Sequence, residues 1–169
     1  AYNRGETIRA TTSFLMADST TPDGDYIKPQ TNPTNTDCWN GKAYTPLNQL
    51  TPGRTKYGTN NNVRIFRYAD VLLMNAEAKI KNGKSGDAPF NEVRRRAQMP
   101  ELTNVTFEQV IDERRMELVC EWGERYNDLV RTGLAKTELK GWSEDKALLP
   151  LPFNQYTQIP DLLKEPKDE

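Results

Sequence analysis

The sequence predicts a mainly α-helical protein with a tetratricopeptide-like helix hairpin, a long third helix, a loop-rich N-terminal segment and an extended C-terminal tail. Residues 1–62 are dominated by Thr, Asn, Pro, Gly, Asp and Ser, which favour turns. Across residues 63–133, apolar residues recur three, four and seven positions apart, as on one face of a helix. Residues 134–169 lose this spacing and are punctuated by proline. These changes predict three segments with those boundaries.

The composition excludes several classes of function. The 169 residues carry a net charge of -1 and contain no histidine, and the mean hydropathy is -0.83. A nearly neutral chain argues against a basic nucleic-acid surface. No apolar run reaches 18 residues, which argues against a membrane span. Histidine is the commonest metal ligand and the commonest general base near neutral pH, and its absence removes both. The sequence offers no residue that we assign as a metal ligand, a cofactor ligand or a catalytic group.

The N-terminal segment predicts two short strands, at residues 7–12 and 13–16, followed by a long irregular loop at residues 19–35. Aromatic residues are scattered through and after this loop: Tyr26, Trp39, Tyr44 and Tyr57. Two interpretations are open. The rings could anchor loops to the core, or they could form a sugar-stacking surface with nearby asparagines. For the second interpretation the candidate ligand-binding residues are Trp39, Tyr44, Tyr57 and Asn40.

The first predicted helix occupies residues 63–83 and ends with Lys79, Lys81 and Gly83. One face carries Ile65, Ala69, Leu72, Leu73, Ala76 and Ile80, and a second, partly apolar face carries Tyr68, Val71, Asn75 and Ala78. A helix that is apolar on more than one side is expected to be covered on more than one side.

The second predicted helix begins with Asp87 as its N-cap and stops before Pro100. Residues 94–96 are three consecutive arginines, whose side chains point about 100° apart on a helix. At least one is therefore expected to point inward, towards carboxylates such as Glu77, Glu113 or Glu121. The short connection makes the two helices a hairpin. Ala76, Ala88 and Pro100 have the spacing of a tetratricopeptide repeat, a weak signal.

Residues 106–133 predict either one long helix or two helices joined at Gly123. Thr106 is a plausible N-cap, and Gly133 follows the last turn. Charged residues fall on or beside the apolar face. Because an unpaired buried charge costs several kcal/mol, we expect them to be paired. The expected ion-pair network comprises Arg114, Glu117, Glu121, Arg125 and Asp128.

Three glutamates, Glu113, Glu117 and Glu121, are spaced four residues apart along this helix. Two carboxylates suffice for glycoside hydrolysis, which is one interpretation. The arginines among them favour ionised carboxylates, whereas a general acid must hold a proton. Ion pairing is therefore the preferred interpretation. Cys38 and Cys120 are expected to be free thiols, with a disulfide as the open alternative.

Five sequence blocks stand out in the helical and C-terminal parts of the chain: 67–78 (RYADVLLMNAEA), 91–97 (NEVRRRA), 113–118 (ERRMEL), 121–131 (EWGERYNDLVR) and 149–152 (LPLP) with Asn154 and Gln155. In this order and spacing they resemble the C-terminal region of SusD/RagB proteins, which are outer-membrane lipoproteins of Bacteroidetes. The resemblance covers residues 63–155 well, whereas the first 60 residues fit loosely.

The resemblance implies a tetratricopeptide-like helical protein that binds a nutrient, most often a glycan, without catalysis. It implies a SusC-type TonB-dependent transporter as partner and an oligosaccharide as ligand, with no nucleic acid. The implied location is the surface of the outer membrane, through an N-terminal lipid anchor that this chain lacks. The chain is thus expected to be the C-terminal part of such a protein. The alternatives are a glycoside hydrolase or a purely structural scaffold fragment.

Overall fold

The computed structural model describes residues 5–29, 31, 37–51, 62–122, 124–148 and 153–158. It divides into two compact units, Ala1–Asn127 and Asp128–Glu169. Helices account for most of the regular structure, so the mainly α-helical prediction is confirmed. Of the helices in these ranges, none has the length and apolar character needed to cross a membrane.

The N-terminal part of the first unit begins with helix α1 (Thr7–Ser13) and contains two small antiparallel sheets. Strand β1 (Phe14–Met16) pairs with β4 (Cys38–Asn40), and β2 (Ser19–Thr20) pairs with β3 (Tyr26–Ile27). The strand predicted at residues 13–16 is thus confirmed over its last three positions.

The strand predicted at residues 7–12 is wrong, because these residues form α1. Thr11 and Thr12 are β-branched, but their hydroxyls donate to main-chain carbonyls one turn earlier and are satisfied within the helix. The helical turn also buries the side chain of Arg9, which is 5% exposed. The tertiary contacts of Arg9, described below, outweigh the β-propensity of its neighbours.

The helix hairpin consists of α2 (Tyr68–Lys81) and α3 (Asp87–Arg96). Gly83, at a φ of +69°, follows α2, and Gly86 lies where a side chain would not fit. A Cβ atom at Gly86 would approach the carbonyl oxygen of Ala76 to 2.9 Å. Ala88 is exposed, so the tetratricopeptide spacing does not mark the close contact of this hairpin. Gly86 marks it instead, and Asp87 lies in the first turn of α3 rather than at its N-cap.

The core of the first unit lies where α2 and α3 meet the following helix. Its buried members are Leu72, Leu73, Ala76, Phe90, Val93, Val105 and Val110. The second apolar face of α2 is not covered, contrary to expectation: Tyr68 is 68% exposed and Val71 47% exposed. Among the described elements, α3 and α4 make the main contacts with α2, and both lie on its other face.

The stretch after Thr106 forms two helices, α4 (Phe107–Glu117) and α5 (Glu124–Arg131). Thr106 and Gln109 form a reciprocal capping box at the start of α4, which confirms Thr106 as the N-cap. The chain leaves the helix at Leu118, and Cys120 adopts a left-handed φ of +64°, which ends helical hydrogen bonding. Cys38 and Cys120 are both free thiols, as expected.

The second unit contains helix α6 (Ala135–Glu138), a 3-10 turn (Glu144–Ala147) and helix α7 (Phe153–Gln158). The sequence allows a short helix or turn at residues 134–146, where α6 lies, whereas α7 lies in the part of the tail that is predicted to be extended. From the sequence, Leu148, Leu149, Leu151 and Phe153 are predicted to lay the tail over the core. Leu148 is 83% exposed, which does not support this prediction. Leu149 and Leu151 lie outside the described residues, and the side chain of Phe153 is not described.

Candidate functional site

Three aromatic side chains line one open groove of about 460 Å³ in the first unit: Tyr26, Trp39 and Tyr44. We call this cavity the aromatic groove. The pairing of β1 with β4 places Leu15 opposite Trp39. A 3-10 turn (Gly41–Ala43) follows β4 directly and brings Tyr44 to the same cavity. Sheet pairing and one tight turn thus assemble rings from three parts of an irregular segment.

The two tyrosine hydroxyls of the aromatic groove are held by carboxylates. The hydroxyl of Tyr44 donates to Asp25 and also lies 3.1 Å from the Thr21 hydroxyl. The hydroxyl of Tyr26 donates to Asp18 at 2.7 Å. Burial, and then the bond to Asp25, raise the pKa of Tyr44, and the bond to Asp18 raises the pKa of Tyr26. Both rings are therefore neutral near pH 7 and fixed in orientation.

Of the four candidate ligand-binding residues, the structure brings Trp39, Asn40 and Tyr44 together in this groove. Tyr57 lies outside the described residues. The amide of Asn40 also has a structural task, because its nitrogen donates to the carbonyl of Cys120 at 2.8 Å and its oxygen accepts from the Lys42 main chain at 2.9 Å. Asn40 thereby fastens the 3-10 turn to the chain after α4.

Sequence reasoning named Tyr26 among the scattered aromatic residues but left it out of the four candidate ligand-binding residues, and it did not single out Lys28; both line the groove. A local signal for them exists in the Asp23-Gly24 pair, which favours a tight turn between strands. The chain does turn there, with Gly24 at a φ of +93°, and Tyr26 follows on β3. That signal predicts the strand, but it does not predict which ring the strand meets.

A second notable feature is a set of three carboxylates, those of Glu113, Glu117 and Glu121, which we call the carboxylate column. The buried Arg9 reaches two of them: its Nη2 lies 2.5 Å from Glu113 and its Nε 2.9 Å from Glu117. Arg94 of α3 approaches the other oxygen of Glu113 at 2.8 Å. The prediction that at least one arginine of the 94–96 run points inward is therefore confirmed.

The remaining positions of the carboxylate column gather cations from further segments. Glu117 contacts both Arg67, just before α2, and Arg96 of α3. Glu121 lies 2.7 Å from the Lys42 ammonium and 3.1 Å from Arg67. Glu121 belongs to the connection after α4, so the column continues beyond the helix on which it was expected. The carboxylates link α1, α3, α4 and the residue before α2.

The other residues of the expected network lie elsewhere. Arg114 contacts α2 instead, where its Nη1 lies 2.5 Å from Oδ1 of Asp70. Arg125 is half-buried on α5. Asp128 belongs to the second unit, where its carboxylate accepts from Arg131 of the same helix at 2.7 and 2.9 Å.

The chemistry open to the carboxylate column follows from its occupancy. Glu113 and Glu117 are each 1% exposed and accept from at least two guanidinium groups. Their oxygens are therefore engaged in structural ion pairs. Within the described ranges, no group of three or more His, Cys, Asp or Glu side chains could hold a metal ion.

The protein is thus mainly helical. It has an open cavity lined by aromatic residues and a helix hairpin that is held to α4 by buried ion pairs. The chain belongs to the SusD family, whose model matches residues 2–161. This match covers nearly the whole chain and includes the loop-rich segment, which the sequence blocks alone matched loosely.

Curated relatives and solved structures agree with this assignment. The chain is 33% identical over 119 residues to the SusD-like protein P38 of Formosa agariphila, covering 60% of this chain and 24% of that protein. It is 36% identical over 81 residues to the starch-binding protein SusD of Bacteroides thetaiotaomicron, and this match covers 47% of this chain and 14% of that protein. The chain thus spans a quarter or less of the curated relatives that it matches.

Two surface glycan-binding proteins share the fold. The structure resembles surface glycan-binding protein A of Bacteroides uniformis with a TM-score of 0.68 and 28% identity, over 92% of this chain and 37% of that one. Surface glycan-binding protein A of Bacteroides thetaiotaomicron gives a TM-score of 0.66 and 32% identity, and the match covers 84% of this chain and 33% of that one.

Proposed function

We propose that this chain is part of a non-catalytic glycan-binding protein, and that the aromatic groove contacts the glycan. The observation that carries the proposal is the presence of Tyr26, Trp39 and Tyr44 in one open cavity. Fixed aromatic rings beside planar polar groups are the surfaces on which sugar rings stack. Membership of the SusD family and similarity to proteins titled starch-binding and glycan-binding support the ligand class.

The experiment is an isothermal titration calorimetry measurement, in which the protein is titrated with each member of a panel of neutral oligosaccharides. Trp39→Ala should weaken binding of the best oligosaccharide about tenfold, since an aromatic contact with its buried area is worth about 1.4 kcal/mol. Phe66→Ala is the matched control, because Phe66 is 80% exposed and lies outside the groove. Equal affinities for Trp39→Ala, Tyr44→Ala and the parent protein would make these rings structural anchors.

We further propose that the protein acts at the surface of the outer membrane with a SusC-type TonB-dependent transporter. The uncovered face of α2, with Val71 and Met74 exposed, is the candidate contact surface on the helical side. Replacing Val71 and Met74 together by glutamate should reduce co-purification with the co-expressed transporter. Unchanged co-purification would place the contact elsewhere.

Two alternatives remain as outcomes of these tests. Release of reducing sugar by the purified protein, lost in Glu117→Gln, would indicate a glycoside hydrolase. Failure to bind any member of a broad glycan panel would leave a scaffold role for the chain. The occupancy of Glu113 and Glu117 by arginines supports the non-catalytic proposal over the first alternative.

A further inference from the structure

A larger cavity lies beside the carboxylate column, between α1 and the α2–α3 hairpin. We call it the cationic cleft. Its volume is about 780 Å³, within the range of cavities that enclose small ligands. Residues of α1, α2 and α3 line it, and Tyr44 borders both the cleft and the aromatic groove. The two cavities therefore share one lining residue.

The charge of the cleft is positive. Among the described residues that line it, five side chains are cationic and three are carboxylates. Arg96 contacts Glu117 but its side chain remains 63% exposed. Arg64 is exposed and forms no ion pair with any described residue. Two guanidinium groups therefore offer free N–H donors to a ligand in the cleft.

Two further side chains fit a sugar in this position. Tyr68 lines the cleft and is 68% exposed, which leaves a ring available for stacking. Ser13 also lines the cleft, is 1% exposed and has no hydrogen-bond partner for its hydroxyl within the described structure. A buried hydroxyl without a partner is unfavourable, so a polar ligand that reached it would be stabilised.

We propose that the cationic cleft binds a carboxylated sugar unit, a uronic acid, of an acidic glycan. The guanidinium groups of Arg64 and Arg96 match the planar carboxylate, to which arginine donates in a bidentate fork. Tyr68 stacks on the ring and Ser13 bonds to a hydroxyl. This inference rests on the proposed glycan binding and deepens it, because it assigns the acidic unit to a site separate from the aromatic groove.

The test compares two ligands of equal length, an oligogalacturonide and the same oligosaccharide after its carboxyl groups have been reduced. The acidic form should bind at least tenfold more tightly, and the difference should shrink in high salt. Arg64→Gln and Arg96→Gln should each weaken binding of the acidic form about tenfold, because each removes a hydrogen bond to a charged group; tenfold corresponds to about 1.4 kcal/mol. Both side chains are exposed, so the fold should persist, which circular dichroism checks.

Arg95→Gln is the matched control, because Arg95 neighbours Arg96, is 65% exposed and pairs with Glu101 outside the cleft. An equal effect of Arg95→Gln and Arg96→Gln would overturn the inference by making the preference a general attraction to positive charge. If the acidic and the carboxyl-reduced oligosaccharides bind equally well, and only Trp39→Ala weakens their binding, the inference about the cleft is wrong. The proposed glycan binding by the aromatic groove would then still hold. If no oligosaccharide of either kind binds, the proposed function fails as well.

Discussion

Glu117 is the position at which the buried charge cluster can be tested most directly. Its carboxylate is 1% exposed and contacts three arginines, Arg9, Arg67 and Arg96. Glu117→Gln keeps the shape of the side chain but removes its charge and replaces one acceptor oxygen by an NH2 donor. We expect the free energy of unfolding to fall by about 3 kcal/mol, because removing one partner of a buried ion pair costs about 3–5 kcal/mol.

The lower end of that range follows from what each arginine retains. Arg96 is 63% exposed and recovers its solvation from water, so its loss is small. Arg67 is 19% exposed and keeps Glu121 at 3.1 Å. Arg9 is buried and keeps Glu113 at 2.5 Å, but it loses one of its anionic partners. The main penalty is thus one buried guanidinium group with incomplete neutralisation.

The assay is urea unfolding at neutral pH, followed by far-ultraviolet circular dichroism. Glu101→Gln serves as the control, because Glu101 pairs with Arg95 while both side chains are more than half exposed. An exposed pair of this kind contributes about 0–1 kcal/mol. If Glu117→Gln lowers the free energy of unfolding by no more than Glu101→Gln does, the cluster is effectively solvated and the burial argument is refuted.

Two further predictions concern the hairpin and its connection to α4. Gly86→Ala should lower the free energy of unfolding by about 1–3 kcal/mol in urea titrations, since the new methyl group would lie 2.9 Å from the Ala76 carbonyl; unchanged stability would show that the backbone yields easily. Hydrogen bonds from the main-chain N–H groups of Val105 and its preceding residue hold the pKa of Asp87 below its ordinary value of 3.8. Stability from this carboxylate is present above pH 3.8 and lost as the pH falls through the lower folded-state pKa. Urea midpoints measured across that range should therefore fall less in Asp87→Asn than in the parent, and parallel slopes would contradict the assignment.

Where local signals were strong, the sequence predicted the helices well. The 3.6-residue spacing located α2, although the helix begins at Tyr68 rather than at residue 63, and Thr106 as N-cap located the start of α4. Helix α1 was missed because nothing within residues 7–12 reveals that Arg9 is buried. Its partners, Glu113 and Glu117, lie more than 100 residues away. A contact of that range overrides local propensity without leaving a local trace.

The sequence predicted that the candidate site would be an aromatic surface, but it did not predict all of the residues that form it. Composition indicated that aromatic residues near asparagines could form a binding surface, and Trp39 and Tyr44 do share a cavity. Tyr26 joins them through strand pairing across an irregular segment, which no periodicity records. The cationic partners Lys42 and Arg67 were also absent from the predicted network, because they approach Glu121 from outside the helices.

The carboxylate column also bears on how the fold responds to heat. Hydration of charged groups carries an unfavourable entropy, so the penalty for burying Glu113, Glu117 and Arg9 decreases as temperature rises. Exposure of polar surface lowers the heat capacity of unfolding, whereas exposure of apolar surface raises it. The free energy of unfolding of a unit that is held together by buried ion pairs should therefore vary less with temperature than that of a unit with an equally large aliphatic core. Its stability should change gradually over a wide range of growth temperatures.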